Sequence, residues 1–214
     1  MQQLMKQRSS PFRIVTDIIM MAFMVIFPLV ARLHLLVYAP IIVLVCWLYL
    51  VLYSEKFKDL GFSFSQLSWQ PALFGSLIAL GYALVEYYVA GAYRLKTPGF
   101  STAFTAGMKP AVGKLLILVI TWVVAAPYEE IIFRGFMLKR TQAMMKGSWR
   151  LGISVLINSL LFGMYHIQQG IHGVMNAVIF SLAAGVLYKL FKGNLWYNIF
   201  FHAAYNTVMF VILN

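Results

Sequence analysis

The sequence predicts an all-α fold, a polytopic bundle of transmembrane helices, on three observations. Of 214 residues, 62% are hydrophobic and 11% charged, where soluble domains carry about 25% charged residues. The apolar residues gather into seven runs at or near the roughly 20 residues that a helix needs to cross the hydrocarbon layer. The 17 Lys and Arg, set against 6 acidic residues, collect between these runs. In a soluble chain a net charge of +11 would suggest nucleic acid. Here it points to topology and anionic lipid, so the expected partner is the bilayer and not nucleic acid.

The runs cover residues 14–33, 35–53, 71–92, 115–138, 151–166, 174–191 and 195–213, and together they read as one domain, 1–214. The basic stretch 1–13 precedes a long apolar run without a small-residue cleavage site, which reads as a retained first span and not a signal peptide. The junction at Arg32 to His34 is tight, so the first two helices are expected to form an antiparallel hairpin. Residues 54–70 carry Glu55, Lys56, Lys58 and Asp59 and are expected to lie at the membrane interface, anchored by Trp69. Residues 93–114 are broken by Arg94, Lys96, Pro98, Gly99, Gly107, Lys109 and Pro110. They read as a loop with a short interfacial helix over 100–108. The fifth run is short, which suits a helix buried among others or one that opens on a water-filled cavity.

Loop charges set the expected orientation. With the N-terminus inside, eleven Lys and Arg fall on the inner side (Lys6, Arg8, Arg13, Lys56, Lys58, Lys139, Arg140, Lys146, Arg150, Lys189, Lys192) and five on the outer (Arg32, Arg94, Lys96, Lys109, Lys114). The chain is therefore expected N-inside and C-outside as a multi-pass plasma-membrane protein, and its short basic form without organellar signals suits a bacterium. An eighth hidden span would reverse the position of the C-terminus. Cys46, the one cysteine, excludes an internal disulfide and reads as core packing.

Pro127-Tyr128-Glu129-Glu130-Ile131-Ile132-Phe133-Arg134-Gly135 sets two carboxylates and a guanidinium inside an apolar run. A charge at mid-bilayer costs roughly 3 kcal/mol on insertion scales, so such residues are rare and usually functional. On a helix Glu130 and Arg134 are four apart with the acid first, the favourable order for an ion pair, while Glu129 is turned about 100° away. The simplest division of labour gives one carboxylate to Arg134 and leaves the other for chemistry. Further polar groups follow at helical spacing: Phe162 and His166, with Asn158 one turn earlier, then His202 and Asn206 beside Ala203 and Ala204. Taken singly, each could be an interhelical hydrogen-bonding group. Together, a carboxylate, two imidazoles and an amide on three helices are the parts of a hydrolytic site, with a base for water and donors for an oxyanion.

Glu129-Glu130-x-x-x-Arg134 with Phe133-Arg134-Gly135, then Phe162-x-x-x-His166, then His202-x-x-x-Asn206, resemble the three motifs of the CPBP family, the CAAX proteases and bacteriocin-processing enzymes also called Abi. The resemblance covers roughly residues 115–213, and in the N-terminal half the likeness is only that of a hydrophobic, helical chain. It implies an intramembrane glutamic endopeptidase acting on a membrane-anchored peptide or protein: a prenylated C-terminus, a bacteriocin leader or another anchored segment. By the same resemblance Glu129 is the general base, His166 orients and activates the water, and His202 and Asn206 are the oxyanion donors. Glu130, Arg134 and Phe162 support them.

No cofactor is expected on this reading. A zinc version of the same protease would draw its ligands from Glu129, His166 and His202, one carboxylate and two imidazoles. Two other classes stay open: a non-catalytic bacteriocin immunity or binding protein, and a small transporter, for which no internal repeat speaks. Among the remaining polar residues, Asp17 is expected to reach the headgroups and Glu86 to bond a tyrosine hydroxyl or an arginine. Asn176 and Ser181 are expected to make interhelical bonds, and His34 and His172 to sit in the hydrated interface.

Overall fold

Among the described residues, seven helical bodies follow the seven apolar runs. The computed structural model describes residues 10–90 and 109–209, and no strand occurs among them. The expected interfacial helix over 100–108 lies outside the described residues.

Helix α1, Pro11–Ala31, starts at Ser10, whose side chain accepts from the Arg13 amide, with proline in the first turn. It ends at Arg32, which adopts a left-handed conformation (φ 51°). His34 then caps α2, Leu35–Leu52, by accepting from the Leu36 amide. Thr16 and Asp17 of α1 meet Tyr49 and Tyr53 across this hairpin, which makes the pair antiparallel. Helix α3 is Trp69–Ala90. Helix α4 runs over Ala111–Met144, well past the expected end at 138, because Arg140 is buried by acidic partners and not left at the surface. Helices α5, Arg150–Tyr165, α6, Gly170–Leu190, and α7, Leu195–Thr207, complete the bundle. Four helical stretches among the described residues are long and apolar enough to cross a membrane: Pro11–Ala31, Leu35–Leu52, Ala111–Met144 and Ile167–Leu190. Ile19, Leu44, Leu52 and Val85 stand exposed on the outside, a greasy surface that a bilayer would cover.

Helix α4 is the axis of the bundle, for every side chain from Tyr128 to Leu138 is buried. Two of its segments, Thr121–Ala125 and Glu130–Leu138, wind as π-helix, a wider i→i+5 turn found mostly at functional sites. Small residues let the other helices close around this axis. A Cβ on Gly75 of α3 would lie 2.7 Å from the Tyr197 carbonyl oxygen of α7. Between α5 and α6, Gly163 packs on Val174 and Val178, and Gly185 on Val155, which fixes an antiparallel register.

The segment after α2 is tied to the bundle by its backbone. Two short 3-10 turns, Phe57–Leu60 and Phe64–Gln66, fold back under one end of the bundle, and Leu60 is buried. Leu195 N–H donates to the Gly61 carbonyl (3.0 Å), Tyr188 Oη to the Leu60 carbonyl (3.2 Å), Trp196 Nε1 to the Ser63 carbonyl (2.8 Å) and Lys139 Nζ to the Asp59 carbonyl. The backbone carbonyls find donors in the bundle, so the chain is held there and not only in the headgroups.

Asp17 also departs from expectation. It is buried, with Arg13 Nε and Arg140 Nε each 3.3 Å from its Oδ1, and Tyr49 Oη donates to the same oxygen at 2.7 Å. Glu55 joins the cluster through Arg13 Nη2 (3.2 Å) and a two-pronged contact with Arg140. The Arg13 guanidinium lies 3.5 Å over the Tyr53 ring. Two carboxylates and two guanidinium groups balance, so the charges stay out of lipid without reaching for headgroups.

Candidate active site

The site is assembled around the π turn of α4. Arg134 Nη1 donates to Glu130 Oε1 at 3.1 Å, and neither side chain has any exposure. The same Glu130 Oε1 is 2.7 Å from His202 Nδ1 of α7. Because a carboxylate only accepts, that contact places the Nδ1 proton on His202 and turns Nε2 the other way, where it stands 3.7 Å from Glu129 Oε2. Arg134 thus holds Glu130, as the four-residue spacing predicts, and Glu129 stands on the opposite edge of the same imidazole.

Phe162 of α5 forms a wall between the polar groups. Its ring centroid is 4.5 Å from that of His166, 6.3 Å from that of His202 and 4.5 Å from the Arg134 guanidinium carbon. His166 lies just past the end of α5, its Nδ1 2.8 Å from the Phe162 carbonyl oxygen. As a carbonyl accepts, Nδ1 is the donor there and Nε2 is left for the site. Glu129, His202 and Arg134 are all close enough to act electrostatically on His166. Asn158 Nδ2 pins α5 to α4 by donating to the Phe133 carbonyl at 2.8 Å. Asn206 lies one turn beyond His202, half-buried, and its side chain makes no hydrogen bond among the described residues. Glu129, Glu130, Arg134, Phe162, His166 and His202 are thus brought together, and Asn206 borders them.

Sequence reasoning missed an aromatic shell. Phe180 of α6 packs 4.8 Å from His202, and its ring centroid is 5.7 Å from the Arg134 guanidinium carbon. Tyr38 of α2 shares a 2.6 Å hydroxyl contact with Tyr165 and meets the ring of Tyr128 edge-on at 6.0 Å. The Glu129 charge reaches all three tyrosines. The signal was in the sequence, since a tyrosine immediately precedes each of Glu129, His166 and Asn206. The third of these, Tyr205, donates to Glu86 Oε2 at 2.8 Å and accepts from Asn176 Nδ2 at 3.2 Å, so Glu86 and Asn176 hold the tyrosine-bonded and interhelical places expected of them. Ser181 does not make its expected interhelical bond, for its Oγ is buried without a partner among the described residues. His172 is exposed. No group of three His, Cys, Asp or Glu placed to hold a metal ion occurs among the described residues.

Residues 111–208 match a family model described as Type II CAAX prenyl endopeptidase Rce1-like. The match takes in helices α4 to α7 and every residue named above for the site except Tyr38 of the aromatic shell and Glu86. A similar curated protein is an uncharacterized protein of Mycoplasma capricolum subsp. capricolum, 28% identical over 108 residues. That stretch is 50% of this chain and 30% of the relative's own length. No solved structure matches the chain.

Proposed function

We propose, starting from the Rce1-like family domain carried by residues 111–208, that this protein is an intramembrane endopeptidase that hydrolyses a membrane-presented peptide. The observation that supports it most is the His202 imidazole between Glu130 and Glu129, with His166 beside it across Phe162. In this reading Glu129 takes the proton from water, and His166 Nε2, left as an acceptor, orients the same water. His202 Nε2 and the Asn206 amide then donate to the oxyanion of the tetrahedral intermediate, and Glu129 passes the proton it took to the leaving amine as the carbon–nitrogen bond breaks. With Nδ1–H committed to Glu130, an Nε2–H exists only on the doubly protonated ring.

The substrate class is a peptide anchored in the membrane, with a prenylated C-terminus the first candidate on the family description. The chain would act in a bacterial plasma membrane with its N-terminus inside. Wild-type protein in liposomes, incubated with prenylated and unprenylated versions of one peptide, tests this reading. Mass spectrometry should find an internal bond of the anchored peptide cut. Absence of cleavage across a panel of anchored peptides, by protein shown to be folded, would contradict it.

A further inference from the structure

Below the site, four helices each present a buried polar atom that lacks a protein partner among the described residues. They are Arg134 Nε and Nη2 of α4, Ser159 Oγ of α5, Ser181 Oγ of α6 and Asn198 Oδ1 of α7. Arg134, Ser159, Ser181 and Asn198 have essentially no exposure. Helix register puts them within about one helical turn of each other. Gly163 against Val174 and Val178, and Gly185 against Val155, bring Ser159 opposite Ser181 between those two contacts. Asn198 Nδ2 donates to the Ala184 carbonyl at 2.8 Å, one turn from Ser181. The Glu130 to His202 contact sets α4 against α7, and four residues further along α4 and four back along α7 Arg134 falls opposite Asn198. Arg134 also touches Phe162 and Phe180, the neighbours of Ser159 and Ser181 on their helices.

We infer that Arg134, Ser159, Ser181 and Asn198 line a sealed internal site that takes ordered water. Buried polar groups without protein partners are where internal waters reside, each typically making about three hydrogen bonds. The donor set decides between water and a bare anion. Arg134 and the two hydroxyls donate, but Asn198 Oδ1 and the unpartnered Glu130 Oε2 can only accept. An anion would face both acceptors with like polarity, whereas water bonds to both kinds. Water here completes the hydrogen bonding of Arg134, and through Arg134 and Glu130 it holds the ring of His202. This inference goes beyond the peptidase reading and does not depend on it.

An experimental structure of the full chain, at a resolution that shows ordered water, is the decisive test. The expected result is at least one water within hydrogen-bond reach of Arg134 Nη2 and of a serine hydroxyl or Asn198 Oδ1. A dry level, with both hydroxyls turned back onto carbonyls of their own helices, overturns the inference. The double variant Ser159→Ala/Ser181→Ala gives a second readout by thermal unfolding in detergent. Loss of the water's partners lowers its melting temperature, whereas removal of two dry, unsatisfied hydroxyls raises it. A variant that melts at or above wild type therefore also counts against the water. Neither readout requires a substrate, so failure here is distinguishable from failure of the peptidase assignment.

Discussion

Glu130 does two jobs with one oxygen, accepting from Arg134 and from His202 Nδ1, so the two partners separate by substitution. Arg134→Ala leaves a fully buried carboxylate with one of its cations gone, and losses of about 3–5 kcal/mol accompany such changes. The expected outcome is a sharp fall in folded yield, measured by size-exclusion chromatography in detergent. An unchanged yield would show that the pair carries little. Asn206→Ala is the opposite kind of change. Its side chain has no hydrogen bond to lose among the described residues, so folding should be unaffected while turnover drops by about 10² to 10³. Equal losses in substrate binding and turnover would count against an oxyanion role. Glu129, Glu130, Arg134, Phe162, His166 and His202 could all be found in the sequence because each is a polar group, or one turn from a polar group, in an apolar run. Their mutual geometry could not, since it depends on how α4, α5, α6 and α7 pack, which residue spacing along one helix does not record.

At the level of elements, the helices were legible from hydropathy, and the surprises came from segments where charge suggested solvent. Residues 54–68 look interfacial from Glu55, Lys56, Lys58 and Asp59, yet their backbone is bonded to α4, α6 and α7. Composition cannot reveal carbonyls that find donors far along the chain. Gly61 is the tightest point of this contact, with φ 94° and no room for a Cβ against Gly193. Gly61→Ala should therefore destabilise by more than the roughly 1 kcal/mol that the backbone conformation alone would cost. A melting temperature unchanged from wild type would mean that the cap is not held as described. Asp17 differs from its expected place for a related reason. It looks like a headgroup contact by its distance from a helix end, but Arg13 and Arg140 neutralise it in the interior. Glu55→Ala should cost about 3–5 kcal/mol, because it leaves Arg13 and Arg140 against a single carboxylate. Chemical unfolding in mixed micelles is the measurement, and a loss below about 1 kcal/mol, the range of exposed pairs, would contradict a buried cluster.

Across the whole molecule, the central helix carries charge that its neighbours neutralise in two clusters. The cluster of Arg13, Asp17, Glu55 and Arg140 pairs two acids with two bases. The other sets Glu129 and Glu130 against Arg134 and borrows His202. If water is activated by Glu129 and His166 alone, cleavage should survive exhaustive chelation. Activity abolished by chelation and restored by zinc would move Glu129, His166 and His202 into a metal site and keep the peptidase assignment. The most direct measurement compares membrane-bound peptides from cells carrying wild type with those from cells carrying Glu129→Gln, a change that keeps the side chain's size and removes its basicity. The account predicts equal amounts of folded protein, with one or more anchored peptides shortened only in the wild type. The same peptides, shortened to the same extent in both, would contradict it.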